Sequence, residues 1–189
     1  MGLPKAVAGQ RITANLLNRM YGQADTTSHT VTQAVSNPLS SSFTVVANDM
    51  AVNTAYRLTA WGIGTWGSTQ QQLTLSLNYG GVSLTTLAIA STAFAASAAV
   101  RWKLTGLLVG ASTGSSGTLF KNITCEISET ANPVNPGTAA TNAIATTGGS
   151  GTSTIDTTID NAFVFGANWA STTGAPTVTC QATIFERVN

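Results

Sequence analysis

Charge is what this chain has least of. Only 8% of its 189 residues are Asp, Glu, Lys or Arg, against about 25% in an ordinary globular protein. Eight basic and seven acidic side chains leave a formal net charge of +1, too little to build the basic face that nucleic-acid binding needs. One histidine and two cysteines fall short of a four-ligand zinc site. Long apolar runs are missing as well. The most apolar stretch, LTTLAIASTAFAASAAV (84–100), is broken by Ser and Thr and is shorter than the roughly 20 apolar residues a bilayer span takes. The opening MGLPKAVAGQR lacks the apolar run of a secretory signal, and Ala6 stands where a myristoylation pattern wants Ser or Thr. These absences predict a soluble protein made in the cytoplasm, with no cofactor, no bound metal, no nucleic acid and no membrane partner.

Solubility must then rest on Ser, Thr, Asn and Gln, and on covering apolar surface with partner chains. A hydrophobic fraction of 43% is enough to bury a core at this length. Cys125 and Cys180 both fall mid-strand by pattern and are expected to be buried free thiols acting as small hydrophobes. A disulfide would require their strands to be neighbours, and nothing in the sequence points to export.

The first segment reads differently from the rest. In GQRITANLLNRMYGQ (9–23), Thr13 is a plausible N-cap, Leu16, Leu17, Met20 and Tyr21 recur at helical spacing, and Gly22 is a stop signal. A helix of roughly two turns is marginal alone and needs something to lie against. Residues 1–28 are therefore read as an attachment arm, with Arg11, Ile12, Leu16, Leu17 and Met20 as its contact residues.

From His29 to the end, residues 29–189, the signals are β. AYRLTAWGIGTW (55–66) is a long strand with Tyr56, Leu58 and Ala60 on its apolar face. In QLTLSLNYGGVSLTTL (72–87), Leu73, Leu75 and Leu77 alternate with polar residues, and Gly80-Gly81 supplies a two-residue hairpin turn. VRWKLTGLLVGA and GTLFKNITCEIS flank the Gly/Ser turn STGSSG, and NAFVFGANWA and PTVTCQATIFERV close the chain. The Ala-rich 89–100 reads as an irregular connector, and 129–153 as a long loop with at most one short strand. Eight to ten short strands without a parallel crossover predict an all-β antiparallel sandwich or barrel, with a jelly roll favoured.

Few residues stand as candidates for chemistry. His29 has no G-x-S-x-G nucleophile beside it and is read as structural. TTGGSGTST (146–154) has glycines but no lysine, which rules out a phosphate loop. Asn122–Thr124 fits a glycosylation acceptor but lies within a predicted strand. Asp156 and Asp160 invite comparison with a glycosidase pair, whose carboxyls stand about 5 Å or about 6.5–9.5 Å apart. On an extended strand, residues four apart are separated by about 13 Å, so turn formation is expected, with Ile155, Ile159, Phe163 and Phe165 facing inward. No catalytic residue is assigned. Among Trp61, Trp66, Trp102 and Trp169, burial is the default. Trp66, beside Gly64 and Gly67 at a strand end, is the one to test for exposure and the candidate ligand contact.

The second half, from about Asn78 to Glu186, resembles a jelly-roll domain of bacteriophage virion proteins: minor tail proteins, fibres and head decorations. The resemblance rests on the order of short motifs, namely Trp102–Leu104, the Gly114–Thr118 turn, Asp156–Thr158, Trp169 and Thr177–Cys180. AGQRITANLLN is similar to the opening of many actinobacteriophage structural proteins. What the resemblance implies is a non-enzymatic virion protein. It would be a homotrimer displayed as a capsid decoration or minor tail protein and held by its arm to the major capsid or tail proteins. Recognition of host cell-wall glycan by a tail fibre is the alternative.

Overall fold

The computed structural model describes residues 22–129 and 144–188. It is an all-β sandwich of two antiparallel sheets, with no α-helix among the described residues. The short strands β1 (Gln23–Asp25), β2 (His29–Val31), β3 (Asn37–Pro38) and β4 (Phe43–Val45) come first. The long ones follow: β5 (Ala55–Thr65), β6 (Leu73–Tyr79), β7 (Val82–Ile89), β8 (Ala99–Ser112) and β9 (Gly117–Glu129). Last come β10 (Ile144–Ile155), β11 (Asn161–Trp169) and β12 (Thr177–Arg187). The larger sheet runs β1-β12-β5-β8-β9-β10 with β2 also on β12, and the smaller runs β3-β11-β6-β7 with β4 also on β11.

Alternation explains why these residues form these strands. Tyr56, Leu58 and Ala60 on β5 and Leu73, Leu75 and Leu77 on β6 are buried, while their neighbours turn outward. Gly80 and Gly81 both take positive φ, 56° and 77°, as the two-residue β6–β7 turn requires. Gly62 meets a different need. A Cβ there would collide with the Thr179 carbonyl oxygen and stand 2.8 Å from the Trp102 ring, so the bare backbone makes room for a buried indole.

Aromatic side chains fill the space between the sheets in two larger groups and a Trp102–Phe165 pair. Phe43, Tyr56 and Phe163 stack on Phe185, with ring centroids 5.8, 5.1 and 4.9 Å away. Trp66 meets Phe94 and Trp169 edge-on, each at 5.0 Å. Beside the first group a buried ionic contact ties β12 to the 46–54 loop. The Tyr56 hydroxyl donates to Asp49, and Arg187 Nη1 donates to Asp49 Oδ1 at 2.9 Å.

On one side the sheet edges are made of short strands, which limits unwanted strand pairing. β1 and β2 make one interrupted edge on β12, and β3 and β4 make another on β11. On the opposite side, Lys121 Nζ reaches the Leu84 carbonyl oxygen of β7 and donates to Ser153 Oγ at 2.9 Å.

Three sequence expectations change. The proposed arm helix and its contact residues Arg11, Ile12, Leu16, Leu17 and Met20 lie outside the described residues, but Gln23–Asp25, assigned to the arm, is a strand of the sandwich. The glycine-rich 146–154, read as a loop, belongs to β10, which pairs with β9 along its whole length. Backbone hydrogen bonding to a long neighbour there overrides weak local β propensity. Ile159, expected inside, is 54% exposed, because it rides the turn between β10 and β11. The Ala-rich connector does hold only a single 3₁₀ turn, Ser91–Ala93.

Candidate functional site

Two of the motifs that carry the resemblance meet in space. Gly114, in the turn between β8 and β9, and Thr157, in the turn between β10 and β11, are tied by three hydrogen bonds. Thr157 N donates to Gly114 O at 3.0 Å, Gly114 N donates to Thr157 Oγ1 at 2.8 Å, and Thr157 Oγ1 donates to Gly114 O at 3.3 Å. Thr157 is buried, and its carbonyl accepts from Asn48 N at 2.7 Å. Two turns far apart in sequence thus lock one end of the sandwich.

The aspartates beside that lock build the turn. Asp156 Oδ1 accepts from Thr158 N at 2.8 Å and Thr158 Oγ1 at 2.6 Å, and these hydrogen bonds hold its carboxyl below the usual range. Asp160 Oδ1 accepts from Ala47 N at 2.8 Å. Asn161 Nδ2 closes the turn onto the Asp156 and Ile159 carbonyls at 2.6 and 3.1 Å. Both carboxylates are occupied by backbone or turn donors, as a side chain–backbone turn demands.

His29 likewise serves a kink between strands. Its Nε2 lies 2.8 Å from Asp25 Oδ2, and Asp25 also accepts from Ser41 N at 2.5 Å and Thr27 N at 2.9 Å. Burial alone would raise the Asp25 pKa, but the donors from Ser41, Thr27 and His29 outweigh it and hold the carboxyl well below the usual range.

Cys125 and Cys180 are buried free thiols, on β9 and β12 with β5 and β8 between them. Burial pushes the Cys125 thiol up to about 12 and raises that of Cys180, which makes both poor nucleophiles. Among the described residues, no group of three or more His, Cys, Asp or Glu side chains is placed to hold a metal ion. No helix there is long and apolar enough to cross a membrane.

The tryptophans reverse the expectation. Trp66 is 0% exposed, and its indole N–H donates to the Ser91 carbonyl at 2.8 Å. It continues the even-numbered, inward side of β5, so it is core and offers no ring to a ligand. Trp102 and Trp169 are buried too. Trp61, an odd-numbered residue on the outward side, is 39% exposed. The alternation of Tyr56, Leu58 and Ala60 already contained that signal.

Around Trp61 the outer face of the larger sheet gathers the most chemically distinctive exposed groups. Lys103 on β8 stands opposite Trp61 in the ladder, Arg101 opposite the exposed Ile63, Glu126 on β9 opposite Lys103, and Ser128 opposite Arg101. A hollow of about 240 Å³ is lined by Arg101, Trp102, Lys103, Glu126, Ile127 and Ser128. That is smaller than the roughly 300–1,000 Å³ of small-molecule pockets, and it is only partly enclosed. The neighbouring charges are instructive. Arg57 is held by Glu186, Arg187 by Asp49, and Lys121 by Leu84 and Ser153. Among the cations of the described residues, Arg101 and Lys103 have no such partner.

No family model matches the sequence, and no curated protein matches it. Among solved structures there is a weak likeness to the CBM2 module of the evolved Dit of Lactobacillus casei BL23 phage J-1. The identity is 13% and the TM-score 0.30, over 76% of this chain and 66% of that one. The chain thus spans just under two thirds of that module's chain, and at this level the likeness bears on neither ligand nor activity.

Proposed function

We propose that the protein is a non-enzymatic structural component of a bacteriophage particle, a homotrimeric capsid decoration or minor tail protein attached through its N-terminal arm. The observation that carries this reading is the Gly114–Thr157 lock. The ordered motifs shared with phage virion jelly rolls do architectural work here, and the acids among them are taken up by turns. Jelly-roll wiring is part of the same reading. It is supported by the way the chain passes between the sheets at β2–β3, β4–β5, β5–β6, β7–β8, β10–β11 and β11–β12.

The trimer is supported by exposed apolar side chains at the hairpin end of the larger sheet, where Phe120 is 55% and Leu107 43% exposed. Such a patch on a chain this poor in charge calls for covering by identical copies. Since β1 already belongs to the sheet, attachment to the major capsid or tail proteins falls to the residues before it. Assembly from host cytoplasm into the virion would then need only that arm. Deleting residues 2–21 should leave a trimer of normal circular dichroism, with three times the mass of the shortened chain, but one that no longer enters particles. Normal incorporation of the truncated protein would remove the arm from the proposal.

A second reading, recognition of host-surface glycan, is favoured by one observation: an exposed indole, Trp61, beside two unmatched cations. It shifts the ligand contact from Trp66 to Trp61.

A further inference from the structure

We infer that the Trp61 half of the larger sheet's outer face binds an acidic polysaccharide, a chain of pyranose rings carrying carboxylates. This deepens the glycan-recognition reading and rests on it. Trp61 presents an indole to solvent that no other aromatic ring among the described residues covers. The C–H face of a pyranose is apolar and packs on such a ring, while its hydroxyls remain free for polar groups. Lys103 lies directly across the ladder from Trp61, and Arg101 lies across from Ile63. The two cations are two residues apart on one face of β8, hence about 7 Å apart along the strand.

Neither cation is engaged in an ion pair among the described residues, although Glu126 stands across the ladder from Lys103, and two like charges this close favour a bound anion. Guanidinium and ammonium groups pair well with carboxylate. Glu126 and Ser128, one strand further on, supply acceptors for sugar hydroxyls. The openness of the hollow suits a polymer passing over the face better than an enclosed small molecule.

Other occupants fit less well. A nucleic acid would need many phosphate contacts to bind at physiological salt, and two cations supply few. A second copy of this chain has only Glu126 to offer Arg101 and Lys103. Among the described residues the remaining acids are engaged: Asp25, Asp156 and Asp160 in turns, Asp49 by Arg187, Glu186 by Arg57, and Glu129 by Ala95 N. Each site is small, so affinity would come from several copies on one polymer.

The test uses the full-length protein and three probes in affinity electrophoresis and titration calorimetry: polygalacturonate, neutral dextran, and poly-glutamate, which has carboxylates without rings. Polygalacturonate should bind, and dextran and poly-glutamate should bind at least tenfold more weakly. Trp61→Ala, and separately Arg101→Gln with Lys103→Gln, should each weaken polygalacturonate binding at least tenfold without changing circular dichroism or mass in light scattering. Trp61→Phe should retain most of it. The site is overturned if polygalacturonate does not bind, if Trp61→Ala binds like the wild type, or if poly-glutamate binds equally well. It is also overturned if Trp61→Ala changes the oligomeric mass, which would make this face a subunit contact. Binding to dextran or to isolated host walls that survives Trp61→Ala would sink this site while leaving glycan recognition standing. Absence of binding to every glycan would sink both.

Discussion

Along the same three strands, β5, β8 and β9, the outer face of the larger sheet changes character halfway. Toward the β8–β9 hairpin it carries Leu107 and Phe120, and the adjacent charge, Arg57, is already matched by Glu186 at 2.7 Å. Toward the other end it carries Trp61 and Ile63, with Arg101 and Lys103 unmatched. A patch whose charges are internally paired can be covered by another protein without stranding a charge, whereas unpaired cations favour an anionic partner. One pleated surface thus presents two kinds of patch, separated by a few residues of strand.

The most severe way to break this division is to put a charge where copies are proposed to meet. If the proposed trimer is covered there, Phe120→Asp should convert it to monomer over the micromolar range, because an apolar contact is replaced by an unpaired carboxylate. Losses at such positions are about 2–4 kcal/mol. Light scattering across a dilution series reads the result, with circular dichroism as the control for folding. A Phe120→Asp protein that stays trimeric would place the subunit contact elsewhere and erase the contrast between the two halves.

A second, smaller perturbation asks whether the hairpin half depends on the lock beneath it. Thr157→Val keeps the shape but removes the hydroxyl that accepts from Gly114 N at 2.8 Å. Leaving that N–H without a partner should cost about 1–3 kcal/mol, a fall in Tm of roughly 2–4 °C per kcal/mol at this size. Hydrogen exchange should quicken at residues 112–118 and remain unchanged around Trp61. Uniform acceleration over both halves would mean that the lock stabilises the sandwich as a whole.

How much of this was legible beforehand depends on which physical signal carried it. Strict alternation gave β5 and β6, and the two glycines gave the hairpin between β6 and β7, because each is a local requirement of the backbone. The β10 strand was not legible in TTGGSGTST (146–154), since glycine and serine lack strand propensity and the pairing with β9 is made by the neighbour. Asp156 and Asp160 were read as turn residues and do accept backbone donors there, although 156–160 is a bend and not the extended strand on which their separation was argued. Trp66 was misread on the strength of its flanking glycines, although counting by twos from Tyr56 assigns it to the interior and Trp61 to the surface. The unmatched state of Arg101 and Lys103 could not be read at all. It depends on which carboxylates the other strands bring close.

The mildest change probes charge matching itself. Glu186→Gln removes the partner of Arg57 but leaves a side chain of similar size. The pair is partly exposed, at 56% and 34% for the two side chains, so solvent and salt screen it, and such pairs contribute at most about 1 kcal/mol. Thermal stability should therefore shift by no more than a degree or two. Assembly should respond differently, since the proposed contact would now cover an unmatched guanidinium beside Leu107. Trimer dissociation should become easier at low salt than in the parent and recover as salt rises and screens the stranded charge. A Glu186→Gln trimer whose dissociation follows the parent at every ionic strength would show that Arg57 stays in solvent. The apolar half would then be narrower than Leu107 and Phe120 together imply.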